Sequence, residues 1–263
     1  MKKRTTLMLW ATLALGTGAL GSSCGTEVSG EEVSYTLSAQ GAVRQGSVQD
    51  FTNARGWRIE LTRAQALVGP MYFYSGEARA SLFERLIGIQ QAYACAAHAQ
   101  FQSGRTLAEI PLQYGVDLLG GPAVLVEDER AEGGEVRSVE LHVQNPGQVA
   151  AGNALAQSPE ATYEFEGVAT RDGQSVPFRA MVTLPEEGTH QIVDSISAQV
   201  TLDKGSELML NLQLDRLFQD VDFTGLEPEG SNDYALIGPG TQAYASMLFS
   251  LHSREAFVWE NVQ

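Results

Sequence analysis

The run Ser206-Glu207-Leu208-Met209-Leu210-Asn211-Leu212-Gln213-Leu214 sets four leucines at every second position. Successive side chains of a strand point to opposite faces, so this spacing builds one apolar face and one mostly polar face, as a half-buried strand requires. The same period of two runs through 192–202, where Ile196, Ala198, Val200 and Leu202 alternate with other residues. Between the two runs, Asp203-Lys204-Gly205 supplies a short turn whose glycine tolerates positive φ, so the pair is expected to form a hairpin. A second hairpin is expected where Tyr163, Phe165 and Val168 lead into Asp172-Gly173, and Val176, Phe178, Ala180, Val182 and Leu184 return with the same period. Further strands are expected at 33–39, 57–68, 122–127, 136–143 and 256–262, separated by Gly, Asp and Asn turn residues. Many short strands without alternating helices predict a mainly β fold, an antiparallel β-sandwich or barrel-like variant, rather than a parallel βαβ sheet.

Two segments depart from this pattern. Gly240-Thr241-Gln242-Ala243-Tyr244 opens a short helix before the last strand: Thr241 can cap it, and Tyr244, Met247, Leu248 and Leu251 fall at helical spacing. The stretch 77–97 is expected to be helical in its first half, with Leu82, Phe83 and Leu86 on one face, and becomes alanine-rich around Cys95 and His98. It reads as part of an insertion at about 77–110 between strands of one domain at 33–263.

The first residues read as an export signal. Lys2, Lys3 and Arg4 give the positive start, 7–20 the apolar middle, and Gly21-Ser22-Ser23 the small residues before a cleavage site. The apolar run falls short of a lasting membrane span, which needs roughly 20 apolar residues. Leu20-Gly21-Ser22-Ser23-Cys24 resembles a bacterial lipobox with its leucine displaced by one position, while Ala19-Leu20-Gly21 also fits an ordinary signal-peptidase site. The first reading makes 1–23 a signal peptide, Cys24 a lipidated residue and 24–32 a polar tether. Gly25 after the cysteine resembles an outer-membrane address, with the periplasmic or surface face left open.

The chain holds two cysteines, Cys24 and Cys95, whose fates are linked. Acylation of Cys24 leaves Cys95 as a lone thiol in an oxidising compartment; ordinary cleavage instead permits a Cys24–Cys95 disulfide. The formal charge is −15, and loss of Lys2, Lys3 and Arg4 with the leader makes the mature chain three units more negative. Such a balance argues against binding nucleic acid or anionic headgroups, which need basic surface, and suits a solvated acidic surface that attracts cations.

Cys95-Ala96-Ala97-His98 places a soft sulfur and an imidazole three residues apart, close enough to share a metal on a helix or tight turn. A single C-x-x-H lacks the second pair of a zinc signature, and a cysteine between alanines equally suits a small buried residue. His142 on a strand, His190 at a loop-to-strand junction and His252 near a helix end are further candidates; two of them converging on His98 would suit copper or zinc. Asp215, Asp220 and Asp222 could offer oxygen ligands, but their spacing fails the EF-hand loop, so capping of a turn is the better reading. Trp57, Trp259, Tyr72, Phe73 and Tyr74 are expected to fill the core and its edge. No H-E-x-x-H, P-loop, dinucleotide fingerprint or C-x-x-C occurs, and Gly21-Ser22-Ser23-Cys24-Gly25 fits G-x-S-x-G only at the cleavage site, so an enzyme is not expected.

Gly56-Trp57-Arg58-Ile59-Glu60-Leu61, Gly69-Pro70-Met71-Tyr72-Phe73-Tyr74, Ala97-His98-Ala99, Val116-Asp117-Leu118-Leu119, Val221-Asp222-Phe223, Gly240-Thr241-Gln242-Ala243 and Ala256-Phe257-Val258-Trp259 follow one another over about 56–260. In that order they resemble a group of uncharacterised bacterial exported lipoproteins and, more distantly, the MbnP-type periplasmic copper-associated proteins. The resemblance implies a β-sandwich and metal binding through a central loop. Only His98 matches the histidines of that loop here, with Cys95 nearby and Gln100 and Gln102 where further ligands would stand. Two functions follow as expectations: a non-catalytic envelope lipoprotein that binds copper or zinc, or an envelope lipoprotein that docks a protein partner through sheet edges or the insertion.

Overall fold

The computed structural model of the chain describes residues 30–77, 104–146, 160–184, 190–228, 230 and 232–262. Strands dominate them. In chain order these are β1 (Glu32–Ala42), β2 (Asp50–Thr52), β3 (Arg58–Val68), β4 (Met71–Tyr74), β5 (Thr106–Ile110), β6 (Tyr114–Asp117) and β7 (Ala123–Glu132). There follow β8 (Gly134–Gln144), β9 (Tyr163–Arg171), β10 (Gln174–Val182), β11 (His190–Leu202) and β12 (Ser206–Gln213). The short helix α1 (Leu214–Leu217), β13 (Ala235–Ile237), α2 (Gln242–Ser250) and β14 (Phe257–Asn261) complete the order.

Three sheets result, ordered β14-β12-β1-β7, β13-β10-β9-β3-β2 with β6 also on β3, and β11-β8-β4-β5. The first and third are layers of a sandwich: Phe73 of β4 meets Tyr35 of β1 at 6.3 Å and Trp259 of β14 at 5.2 Å, both edge to face. All three rings are buried, so the layers close on aromatic contacts that exclude water. On one side of this sandwich β11 lies against β14; on the other β5 approaches β7. The second sheet is covered instead by α1 and the residues after it. Phe218 meets Phe51, Phe165 and Phe178 at 5.8, 5.0 and 6.0 Å, and Phe223 meets Trp57 and Phe178 at 5.4 and 4.9 Å. Buried Asn53 fastens that cover, its amide donating to Phe218 O and Val221 O while its Oδ1 accepts from Arg55 N and Trp57 N. With all its hydrogen-bonding positions engaged, the amide carries no unmet desolvation penalty.

The Asp172-Gly173 hairpin forms as expected, with Arg171 opposite Gln174 and both turn residues at positive φ. Thr241 caps α2 as expected, its hydroxyl accepting from Tyr244 N at 3.1 Å, with Tyr244, Met247 and Leu251 buried. The expected hairpin across 203–205 does not form. β11 pairs with β8, and β12 lies between β1 and β14, so Asp203-Lys204-Gly205 carries the chain from one layer to the other, with Gly205 N bonded to Ser34 O. A strand facing the core alternates identically whichever neighbour it pairs with, so periodicity alone leaves the choice of partner undetermined. The pairing of β1 with β12, like that of β10 with β13, is parallel within otherwise antiparallel sheets, and no closed barrel forms among the described residues. Beyond Glu77, the helical stretch expected at 77–97 lies outside the described residues.

Candidate binding face on the third sheet

In β8, Val139, Leu141 and Val143 point to the core, which puts Ser138, Glu140 and His142 on the opposite face. β4 alternates in step: Met71 and Phe73 are fully buried, and Tyr72 and Tyr74 take the outer positions. The register sets Glu109 of β5 opposite Tyr72 and Tyr72 opposite Glu140, a carboxylate-phenol-carboxylate row across three strands.

Glu140 is only 6% exposed, and its Oε1 lies 2.7 Å from His142 Nε2. The contact fixes the orientation of the imidazole ring. The Tyr72 ring tilts over the imidazole at 5.4 Å, and Tyr74 hydrogen-bonds to Glu140. Burial foremost, and then the Glu109 and Glu140 charges, raise the Tyr72 and Tyr74 phenols above their ordinary pKa, Tyr74 the further. Both phenols therefore stay neutral at physiological pH, and the face carries a negative potential.

The backbone register places His190 opposite Gln144 and Ile192 opposite His142. In that register His190 stands one diagonal step from His142 on the neighbouring strand. His252 follows α2, an element that packs on β10 of the second sheet, and does not join this face. Cys24, Cys95 and His98 lie outside the described residues. The two ends of their segment do not: β4 ends at Tyr74 opposite Thr106 of β5, and Ser138 Oγ donates to Gly76 O at 2.7 Å. Among the described residues no three metal-capable side chains come together.

Of the three aspartates after β12, Asp222 caps a turn as expected, whereas Asp215 and Asp220 form ion pairs with Arg44 and Arg55. Asp222 Oδ1 accepts from Thr224 Oγ1 at 2.6 Å, Thr224 N at 3.0 Å and Trp57 Nε1 at 3.0 Å. The Thr224 hydroxyl and N–H, helped by Trp57 and by Arg171 at 3.8 Å, hold the carboxyl below its usual range. Arg171 also lies 4.3 Å over the Trp57 ring. Asp215 pairs with Arg44 at 2.8 Å, and Trp57 and Trp259 fill the core as expected. Sequence reasoning passed over Tyr72, Glu109 and Glu140 as site residues. The signal available was Glu140-Leu141-His142, two polar residues alternating with the aliphatic Val139, Leu141 and Val143 of the inner face.

No helix among the described residues is long and apolar enough to cross a membrane. No protein-family model matches the chain, and no curated protein matches it. Among solved structures it is similar to MbnP from Methylosinus trichosporium, at 12% identity and a TM-score of 0.33 over 73% of this chain and 78% of that one. At that level of likeness no residue's role is carried across.

Proposed function

We propose that this chain is an exported, lipid-anchored binding module without catalytic activity, held at the outer membrane through acylated Cys24, whose sandwich takes up a copper or zinc ion on the outer face of the third sheet. The observation behind this reading is the half-buried His142 gripped by buried Glu140 at 2.7 Å, on a face that also carries Glu109. A carboxylate that orients an imidazole is the usual support of a metal-binding histidine, and the surrounding negative potential attracts a cation.

One oriented imidazole does not make a site, since zinc takes four ligands and copper a comparable set. Further donors would come from His190, by register, and from His98 and Cys95. His98 lies six residues before Gly104, and a six-residue chain reaches at most about 20 Å, enough to span from β5 across β4 to β8. When bound, the ion would be held by imidazole and thiolate ligands, with Glu140 keeping the His142 ring in place.

Elemental analysis of the protein purified from the envelope tests this. The expected result is one equivalent of copper or zinc that falls at least about tenfold in affinity in His142→Ala and in His98→Ala, and less steeply in Glu140→Gln. Metal content unchanged in both histidine variants overturns the metal reading. Mass spectrometry of the mature N-terminus tests the anchor separately: a diacylated or triacylated Cys24 supports it, and an unmodified Cys24 or a disulfide to Cys95 removes it.

A further inference from the structure

β5 ends the third sheet and β7 ends the first, and among the described residues neither carries another strand on its far side. Where they approach, a groove of about 410 Å³ opens. Its floor is apolar and made by Leu107, Ala108 and Ala131; its rim carries Glu32, Glu109 and Glu132, with Arg130 beside them. Along β7 the acidic run continues through exposed Glu127, Asp128 and Glu129. The Tyr35 and Tyr114 phenols are raised by burial first and then by the Glu129 charge, so the negative potential extends past the rim.

We propose that this groove docks an extended basic segment of a partner protein, its lysine or arginine heads on the acidic rim and its small apolar side chains on the floor. Charge complementarity selects that occupant, because nucleic acids and acidic peptides are repelled by the same rim. Two cations are already present: Arg105 pairs with Glu132 at one end and stays there, which leaves Glu32 and Glu109 as the acids a partner meets, and Arg130 does not block them. Arg130 reaches Glu32 at 3.3 Å with the two side chains 80% and 70% exposed, and an ion pair so solvated is exchanged for a partner's at little cost. The strand edges favour an extended chain over a helix, since they offer backbone groups at strand spacing. Asp128, at φ 51, breaks the register of β7 against β1, so the regular half at 129–132, beside the groove, receives the segment while the far half is guarded against indiscriminate pairing.

The probe is a synthetic peptide of about ten residues alternating lysine with threonine, strand-forming and soluble, compared with one in which glutamate replaces lysine, titrated against the full chain. The lysine peptide is expected to bind saturably, to weaken about tenfold between about 50 and about 300 mM salt, and to slow amide exchange within 106–110 and 123–132. Glu32→Lys with Glu109→Lys should weaken it by about tenfold or more, and Arg130→Glu, which adds to the rim, should tighten it. Equal binding of both peptides, no saturable binding, protection elsewhere, or indifference to these substitutions overturns the proposal. The metal reading is tested apart from it: His142→Ala should leave peptide affinity unchanged, and Glu32→Lys with Arg130→Glu should leave metal content unchanged.

Discussion

The two sides of the sandwich are joined differently. Where β11 meets β14, the Asn261 side chain behaves like a short piece of strand, accepting from Thr201 N at 2.9 Å and donating to Thr201 O at 3.0 Å. Arg254 adds an ion pair to Asp194 of β11 at 2.8 Å. Where β5 meets β7, the described connection is an ion pair from Arg105 to Glu132, at the end of a groove. An amide that satisfies a backbone donor and acceptor together closes an edge without adding charge. A charged pair bridges two edges and leaves them accessible to a competing cation. One side is thus joined by neutral amide bonds to backbone and the other by a charged pair.

The comparison can be broken most forcefully from the middle. Phe73 bridges the layers and is fully buried, so Phe73→Ala should cost about 3–5 kcal/mol in denaturant unfolding whichever side matters more. A smaller loss would mean that the edges, and not the shared core, hold the layers together. On the closed side, Asn261→Ala should cost about 1–2 kcal/mol and speed amide exchange at Thr201. On the groove side, Arg105→Ala leaves Glu132, its side chain 12% exposed, without its partner and should cost about 1–3 kcal/mol; a loss that persists unchanged in a Glu132→Gln background would show that the ion pair does not join this side.

Asp222 lies on neither side and serves as a control. Its carboxyl is held below the usual range in the fold, so its contribution is fully present above the unfolded value of about 3.9 and is lost as pH falls through the lower folded value. Asp222→Asn should therefore be destabilised by about 1 kcal/mol at neutral pH, with the gap to the parent chain closing below about pH 4. A gap independent of pH would assign the loss to geometry and not to charge. The smallest effect belongs to the rim, where Arg130→Ala should stay within about 0.5 kcal/mol of the parent.

The β9–β10 hairpin and α2 were legible in the sequence because each carries a local chemical mark, Asp172-Gly173 for the turn and the Thr241 hydroxyl for the cap. The partner of β12 was not legible, because Leu208, Leu210 and Leu212 face the core equally well in a hairpin or beside β1. β4 and β5 are too short to show a period, and with them went the row Glu109-Tyr72-Glu140, which exists only through register across three strands. His142 was visible as a histidine on a strand; its grip by Glu140 follows from two residues sharing one face, a pattern that most exposed strand faces also show.

β1 sits in the interior of its sheet, flanked by β7 and by β12, and Gln40 of β1 bonds Asn211 at 2.9 Å across 171 positions of chain. A chain threaded amino end first through a membrane pore would deliver this strand early, and it would wait for its parallel neighbour until most of the polypeptide had followed. In such a passage its apolar face would be shielded only by incomplete company until 206–213 arrived. Once assembled, the same placement means that a pull on the leading end loads two ladders in shear, one over 32–39 and the other over 35–42, instead of peeling them apart one bond at a time.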